Sequence, residues 1–173
     1  MIKLEPLTGH HDRSAFDCGV EPLNLWLKQT ALQHQSKGIS RTFVAVPAGA
    51  AAAAAFRDAG CGGTSPESII GYYALASAFV RVDELPTVIA KRYPRQIPVT
   101  RLGRLAIHTQ LKGQGLGQLL LADAVSRARQ AAQAVGSAGI MVDAKGEDAA
   151  RFYQRYGFQP CGHQPLTLFL PMW

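Results

Sequence analysis

The segment Lys112-Gly113-Gln114-Gly115-Leu116-Gly117 constrains this chain most, because it joins an apolar run, Leu105-Ala106-Ile107, to a helical repeat that begins near Leu116. A strand, a glycine turn and a helix in that order place the first free N–H groups of the helix beside a backbone able to curl closely. Those donors and the positive end of the helix dipole form a seat for a pyrophosphate. Two familiar nucleotide loops fail on spacing. No Gly-Lys-Ser/Thr ending is present, as a P-loop requires. The glycines fall at relative positions one, three and five, not at the one, three and six of a dinucleotide fingerprint. A plain glycine turn capping a helix remains open on spacing alone.

With 173 residues, the chain is long enough for one domain that buries roughly 70% of its unfolded surface. Hydrophobic residues at 47% and charged residues at 17% fit an ordinary soluble globule. Met1 to Pro6 contains no apolar core of signal-peptide length, and the longest apolar stretch, Ile69 to Val80, is too short to span a bilayer. The expected location is cytoplasmic, with no membrane partner. Cys18, Cys61 and Cys161 are odd in number and widely spaced, as reduced and mostly buried thiols are. The histidines lack metal-site spacing, so no metal is expected.

The net charge of +6 is unevenly placed: between Glu84 and Asp123 there is no acidic residue, while Lys91, Arg92, Arg95, Arg101, Arg104 and Lys112 all fall there. Such a run is either a solvated face or the footprint of a partner richer in negative charge than one cofactor.

Element signals alternate along the chain. Glu21-Pro22 opens a helix whose apolar face is Leu23, Trp26, Leu27 and Ala31, ending near Gly38. Arg41 to Val46 is strand-like. Residues 48–67, an alanine run followed by glycines and Pro66, read as a mobile loop insertion between strands, with room for a short helical turn. Ile69 to Val82 is a strand, Leu85 to Arg92 a short helix, and Val99 to His108 the strand entering the glycine loop. Leu116 to Val135 is a helix, Ile140 to Val142 a strand, and Glu147 to Tyr156 a helix stopped by Gly157. Leu166 to Leu170 closes as a strand. The sum is one α/β domain over residues 1–173, with helices layered on a sheet.

With that order in place, the chain resembles the GNAT family of N-acetyltransferases, and more narrowly the GNAT toxins of bacterial type II toxin–antitoxin systems. The carrying segments are Phe16-Asp17-Cys18-Gly19 with Trp26-Leu27-Lys28, Gly71-Tyr72-Tyr73-Ala74-Leu75, Gly103 to Ile107, the glycine loop, Val142 to Lys145, and Phe152 to Phe158. Lys112 departs from the Gln/Arg usual at the first loop position but keeps its charge. The insertion at 48–67 also departs from the family pattern. The resemblance implies the GNAT fold, a mixed and mostly antiparallel twisted sheet with splayed central strands, and acetyl-CoA as co-substrate. Main chain at Leu105, Ala106 and Ile107 would pair with the pantetheine arm like an added strand. Lys112, Gly113, Gln114, Gly115, Leu116 and Gly117 would hold the pyrophosphate.

By helical pattern alone Tyr153 is a core tyrosine. By resemblance it is the catalytic tyrosine whose hydroxyl, near pKa 10, gives a proton to a departing thiolate whose free thiol has pKa about 8.5. No Asp or Glu stands between Val99 and His108 to act as a base, and His108 at the strand end reads as a surface residue. A lysine amine near pKa 10.4 is neutral in about one molecule per few thousand at pH 7; an α-amine near 7.7–8.0 is neutral in roughly one in ten. The missing carboxylate therefore points to an α-amine acceptor.

One substrate joins that amine to the basic run and the toxin-like motifs: aminoacyl-tRNA. Its phosphates would be met by Arg92, Arg95, Arg101 and Arg104, and its acetylation would block translation. The resemblance implies a ribbon-helix-helix antitoxin, contact with DNA only through that antitoxin, and a homodimer. Two alternatives stay open: acetylation of a small-molecule amine or protein N-terminus, and a non-catalytic CoA-binding partner of a DNA-binding regulator.

Overall fold

The computed structural model describes residues 1–172 and contains a seven-stranded sheet with strand order β1-β2-β3-β4-β5-β7-β6. In chain order the elements are β1 (Ile2–Pro6), α1 (Glu21–Gln29), α2 (Ala31–Ser36), β2 (Arg41–Pro47), α3 (Ala50–Asp58), β3 (Gly71–Arg81), α4 (Thr87–Ala90), β4 (Gln96–Ile107), α5 (Leu116–Ala134), β5 (Gly139–Asp143), α6 (Glu147–Arg155), β6 (Gln159–Cys161) and β7 (Gln164–Pro171). Short 3-10 turns at Val82–Glu84 and Thr109–Leu111 precede α4 and α5. The β1–β2, β5–β7 and β6–β7 pairs are antiparallel, while β4 and β5 run parallel. Among the described residues, no helix is long and apolar enough to cross a membrane.

The residues cluster in two compact units, Met1–Ala74 with Arg104–Ala124, and Leu75–Gly103 with Val125–Trp173. In the first, Leu23, Trp26 and Leu27 of α1 pack with Val44 and Val46 of β2, Tyr72 of β3, and Phe16. The core of the second joins Val80, Leu85, Ile89, Val99, Met141, Cys161 and Phe169. Burial of such side chains stabilises by about 1.5–3 kcal/mol each.

Two local readings are corrected, and two short strands are added. The insertion at 48–67 is not a bare loop: Ala50–Asp58 forms a nine-residue helix that buries Ala53 and Phe56. Alanine has the highest helix propensity, and the buried Phe56 gives the helix an anchor. Its exit is tied down by Arg57 Nη1, which donates to the Thr64 carbonyl at 2.6 Å. The helix expected from Glu21 to Gly38 is divided at Thr30, whose φ of −122° interrupts the spiral. Strands β1 and β6 join the sheet edges although neither has a strand signal strong enough to read in isolation.

Candidate active site

The glycine loop belongs to the first unit, and its geometry follows from residue type. Gly113 and Gly115 both have φ +79°, a conformation that costs other residues roughly 1–2 kcal/mol. A Cβ added at either would meet nothing within 4 Å, so the turn encloses open space. Leu119 N–H donates to the Gly115 carbonyl at 3.2 Å, which leaves the N–H groups of Leu116, Gly117 and Gln118 ahead of the helix's own bonding. They project from the positive end of a 19-residue helix. This is an anion cradle made of main chain, and a diphosphate fits it.

The strand feeding the loop offers a second main-chain surface. β4 pairs with β5 over Thr100, Arg101 and Leu102, then continues to Ile107. His108 N–H donates to the Ile70 carbonyl at 2.8 Å, and the Ala106 carbonyl faces Gly71. Alternation along a strand therefore turns the polar groups of Ala106 and His108 towards β3, and those of Leu105 and Ile107 towards the opposite edge. That edge is suited to an extended amide-bearing arm, which would bond there as an extra strand does. Of the three residues expected to pair with it, Leu105 and Ile107 have the right orientation. Ala106 does not, because its carbonyl is turned to β3.

Lys112 is occupied differently from its sequence reading. Its Nζ donates to the Cys18 carbonyl at 2.9 Å, so the charge anchors the loop to the Asp17–Gly19 turn. That turn is itself built by side chains: Asp17 Oδ1 accepts from Gly19 N–H at 2.8 Å and from Asn24 Nδ2 at 3.0 Å, and Asn24 Oδ1 accepts from Cys18 N–H at 2.9 Å. The Gly19 hydrogen bond, followed by the Asn24 one, holds the Asp17 carboxyl below its ordinary pKa. Thr109 N–H closes the connection on the Asp17 carbonyl at 2.9 Å. The sequence signal for Asn24 is a polar residue inside the apolar face Leu23, Trp26, Leu27, where it is buried to 3% exposure. His108 is committed as well, since its Nδ1 accepts the Gln110 N–H at 3.3 Å and caps the turn before the loop.

Tyr153 lies in the second unit, on the buried face of α6. Its ring meets Phe152 at 5.2 Å and Phe158 at 5.5 Å between centroids, both edge to face. Burial pushes the phenol up to about 12. Among the described residues no hydrogen bond to the hydroxyl is made, and the residue as a whole is exposed to only 7%. α6 places it by opening on Glu147 and Asp148, which suit a helix N-terminus, and by stopping at Gly157.

The four arginines are dispersed. Arg104 stacks over Trp26 at 4.0 Å from the ring centre, and burial lowers its pKa. Arg101 pairs with Asp143 at 2.8 Å. Arg92 and Arg95 are exposed, with Lys91 beside them. The second unit carries ten Lys/Arg against five Asp/Glu, whereas the first carries eight against seven, so nearly all the excess positive charge belongs to the second.

Residues 72–167 match the family described as an acetyltransferase (GNAT) domain. Over 161 residues the chain is 33% identical to the tRNA-acetylating toxin of Mycobacterium tuberculosis (strain ATCC 25618 / H37Rv), which covers 93% of this chain and 86% of that protein. Among solved structures, AtaT complexed with acetyl-methionyl-tRNAfMet has a TM-score of 0.82 at 32% identity, covering 99% of this chain and 95% of that one. A mutant AtaT toxin bound to the C-terminus of the antitoxin AtaR and acetyl-CoA has a TM-score of 0.75 at 31% identity, with coverage of 99% and 93%.

Proposed function

The chain belongs to the GNAT family of acetyltransferases, and from that premise we propose that it is a toxin that acetylates the α-amino group of aminoacyl-tRNA and so blocks translation. The observation that carries the proposal is the open main-chain cradle at Gly113–Gly117, set at the end of a strand whose Leu105 and Ile107 polar groups face outward. β3, β4 and α5 each run from one unit into the other, which supports a single acetyltransferase domain over residues 1–173.

Acetyl-CoA supplies an acetyl group activated as a thioester. The N–H groups of Leu116, Gly117 and Gln118 hold its diphosphate, and the main chain of Leu105 and Ile107 holds its amide-bearing arm. Lys112 contributes rigidity through Cys18 rather than a free charge at the ligand. As nitrogen bonds to the acetyl carbon and the carbon–sulfur bond breaks, a proton must pass from nitrogen to sulfur. The Tyr153 hydroxyl is assigned that transfer. A phenol held at about 12 stays protonated at every working pH. It cannot simply surrender its proton to a thiolate of a thiol near 8.5, which would be uphill. The proton therefore leaves the hydroxyl only as the acylated nitrogen replaces it.

A pH profile follows with a definite sign. The acceptor reacts as the neutral amine, so kcat/KM should climb about tenfold per pH unit below roughly pH 8 and then level off. Because the Tyr153 pKa is raised, its deprotonation brings no descending limb below about pH 11. A fall centred near pH 9 in initial-rate measurements would exclude Tyr153 as the acid.

Binding of tRNA is assigned to the second unit, and within it first to Arg92 and Arg95. The double variant Arg92→Glu, Arg95→Glu should raise KM for aminoacyl-tRNA about tenfold at 0.15 M salt. It should also flatten the salt dependence by about one to two ion equivalents, with acetyl-CoA affinity unchanged. Arg101 and Arg104 are weaker candidates, because Asp143 and Trp26 already engage them. A ribbon-helix-helix antitoxin, a homodimer and a cytoplasmic location complete the reading; DNA is reached only through the antitoxin. The direct experiment is acetyl transfer to charged tRNA by purified protein, read by mass spectrometry of the released aminoacyl group.

A further inference from the structure

The second unit encloses a cavity of about 340 Å³ that the reaction scheme leaves unused. It falls within the ~300–1,000 Å³ range of small-ligand sites. The wall has two ion pairs. Arg81 binds Asp83 through both Nε and Nη2, at 3.2 and 2.9 Å. Arg101 Nη1 donates to Asp143 Oδ2 at 2.8 Å, and Thr167 Oγ1 donates to the other oxygen at 2.8 Å. Between these polar walls the lining includes two apolar side chains, Met141 and Cys161, exposed to only 2% and 4%. The Cys161 thiol is pushed up to about 11, first by burial and then by Asp143 and Glu84, so it is a protonated apolar surface and not a nucleophile.

The charge of the lining is opposite in sign to that of the unit around it. Asp83, Glu84 and Asp143 outnumber Arg81 and Arg101 by one, with the His163 imidazole also on the wall, so the cavity disfavours phosphate and accommodates an ammonium. The basic surface is attached directly: Val82 N–H, adjoining the cavity residues Arg81 and Asp83, donates to the Arg95 carbonyl at 2.8 Å. A cation at the tip of a polyanion is the chemistry of a charged tRNA 3′ end. We infer that this cavity, walled by the Arg81–Asp83 and Arg101–Asp143 pairs with Met141 and Cys161 between them, receives the aminoacyl group and sets which amino acid is acetylated. The inference rests on the aminoacyl-tRNA reading above. The side chain meets Met141 and Cys161, while the α-amino end meets the Asp143–Thr167 wall.

The test compares kcat/KM for glycyl-, methionyl- and phenylalanyl-tRNA in the wild type, Met141→Ala and Gln164→Trp. Gln164 is an exposed lining residue, so its replacement narrows the space without disturbing the core. Gln164→Trp should lower transfer to the methionyl and phenylalanyl substrates about tenfold or more relative to the glycyl one. Met141→Ala should shift preference towards phenylalanyl, with acetyl-CoA affinity unchanged in both variants. An unchanged ranking of the three substrates in both variants, with wild-type transfer intact, overturns the assignment of the cavity alone. Wild-type protein that acetylates nothing in a fully charged total tRNA pool, while still acetylating a simple amine, overturns the aminoacyl-tRNA reading itself.

Discussion

Tyr153→Phe is expected to lower acetyl transfer by about 10²–10⁴-fold while leaving the affinity for acetyl-CoA within about twofold. The substitution removes one oxygen that no described residue hydrogen-bonds, and it keeps the ring that packs on Phe152 and Phe158. Folding stability should therefore change by less than about 0.5 kcal/mol, so lost turnover would not be unfolding in disguise. Single-turnover acetylation and calorimetric titration of acetyl-CoA separate the two quantities. Rates within threefold of wild type would leave the hydroxyl without a chemical role and reduce Tyr153 to a core residue. Expression offers a second readout: the variant should no longer arrest growth.

Gly115→Ala should weaken acetyl-CoA binding about ten- to a hundredfold, the loss expected when hydrogen bonds to a charged group of ~1.5–3 kcal/mol are misaligned. Two effects add. At φ +79° an alanine strains the turn by roughly 1–2 kcal/mol, and its methyl group enters the space reserved for the diphosphate. Nothing in the protein lies within 4 Å of that methyl group, so the fold itself is not obstructed. Thermal denaturation should show a shift of only a few degrees. Unchanged calorimetric affinity would mean that the turn merely caps α5. Gly113→Ala repeats the test from the other side of Gln114, where φ is the same.

Much of this architecture was legible from residue order. Apolar periodicity marked α5 and α6 closely, since Leu116, Leu120, Ala124 and Ala128 recur at helical spacing within one continuous stretch. The interval from Ile69 to Val82 likewise announced β3. The failures share a cause. The alanine run carries loop signals because glycines and Pro66 follow it, whereas burial of Ala53 and Phe56 makes it α3. β1 and β6 have only five and three residues, and each owes its place to pairing with a strand elsewhere in the chain.

The site divides along the same line. Glycine at 113 and 115 is a property of composition, and it alone permits the left-handed turn that opens the cradle. The hydroxyl of Tyr153 and the acid-free run from Arg92 to Lys112 are likewise fixed once the residues are written down. Which of those charges stay available is not. Lys112 is spent on a carbonyl 94 positions away at Cys18, Arg104 on the ring of Trp26, and Arg101 on Asp143, leaving Arg92 and Arg95 exposed. The cavity at Met141 and Cys161 also exists only after β4, β5 and β7 meet. Local backbone preference acts within a few residues, so the chain dictated the turn and the helices directly. Contacts between distant segments form only on folding, and they alone decided which side chains were left to bind.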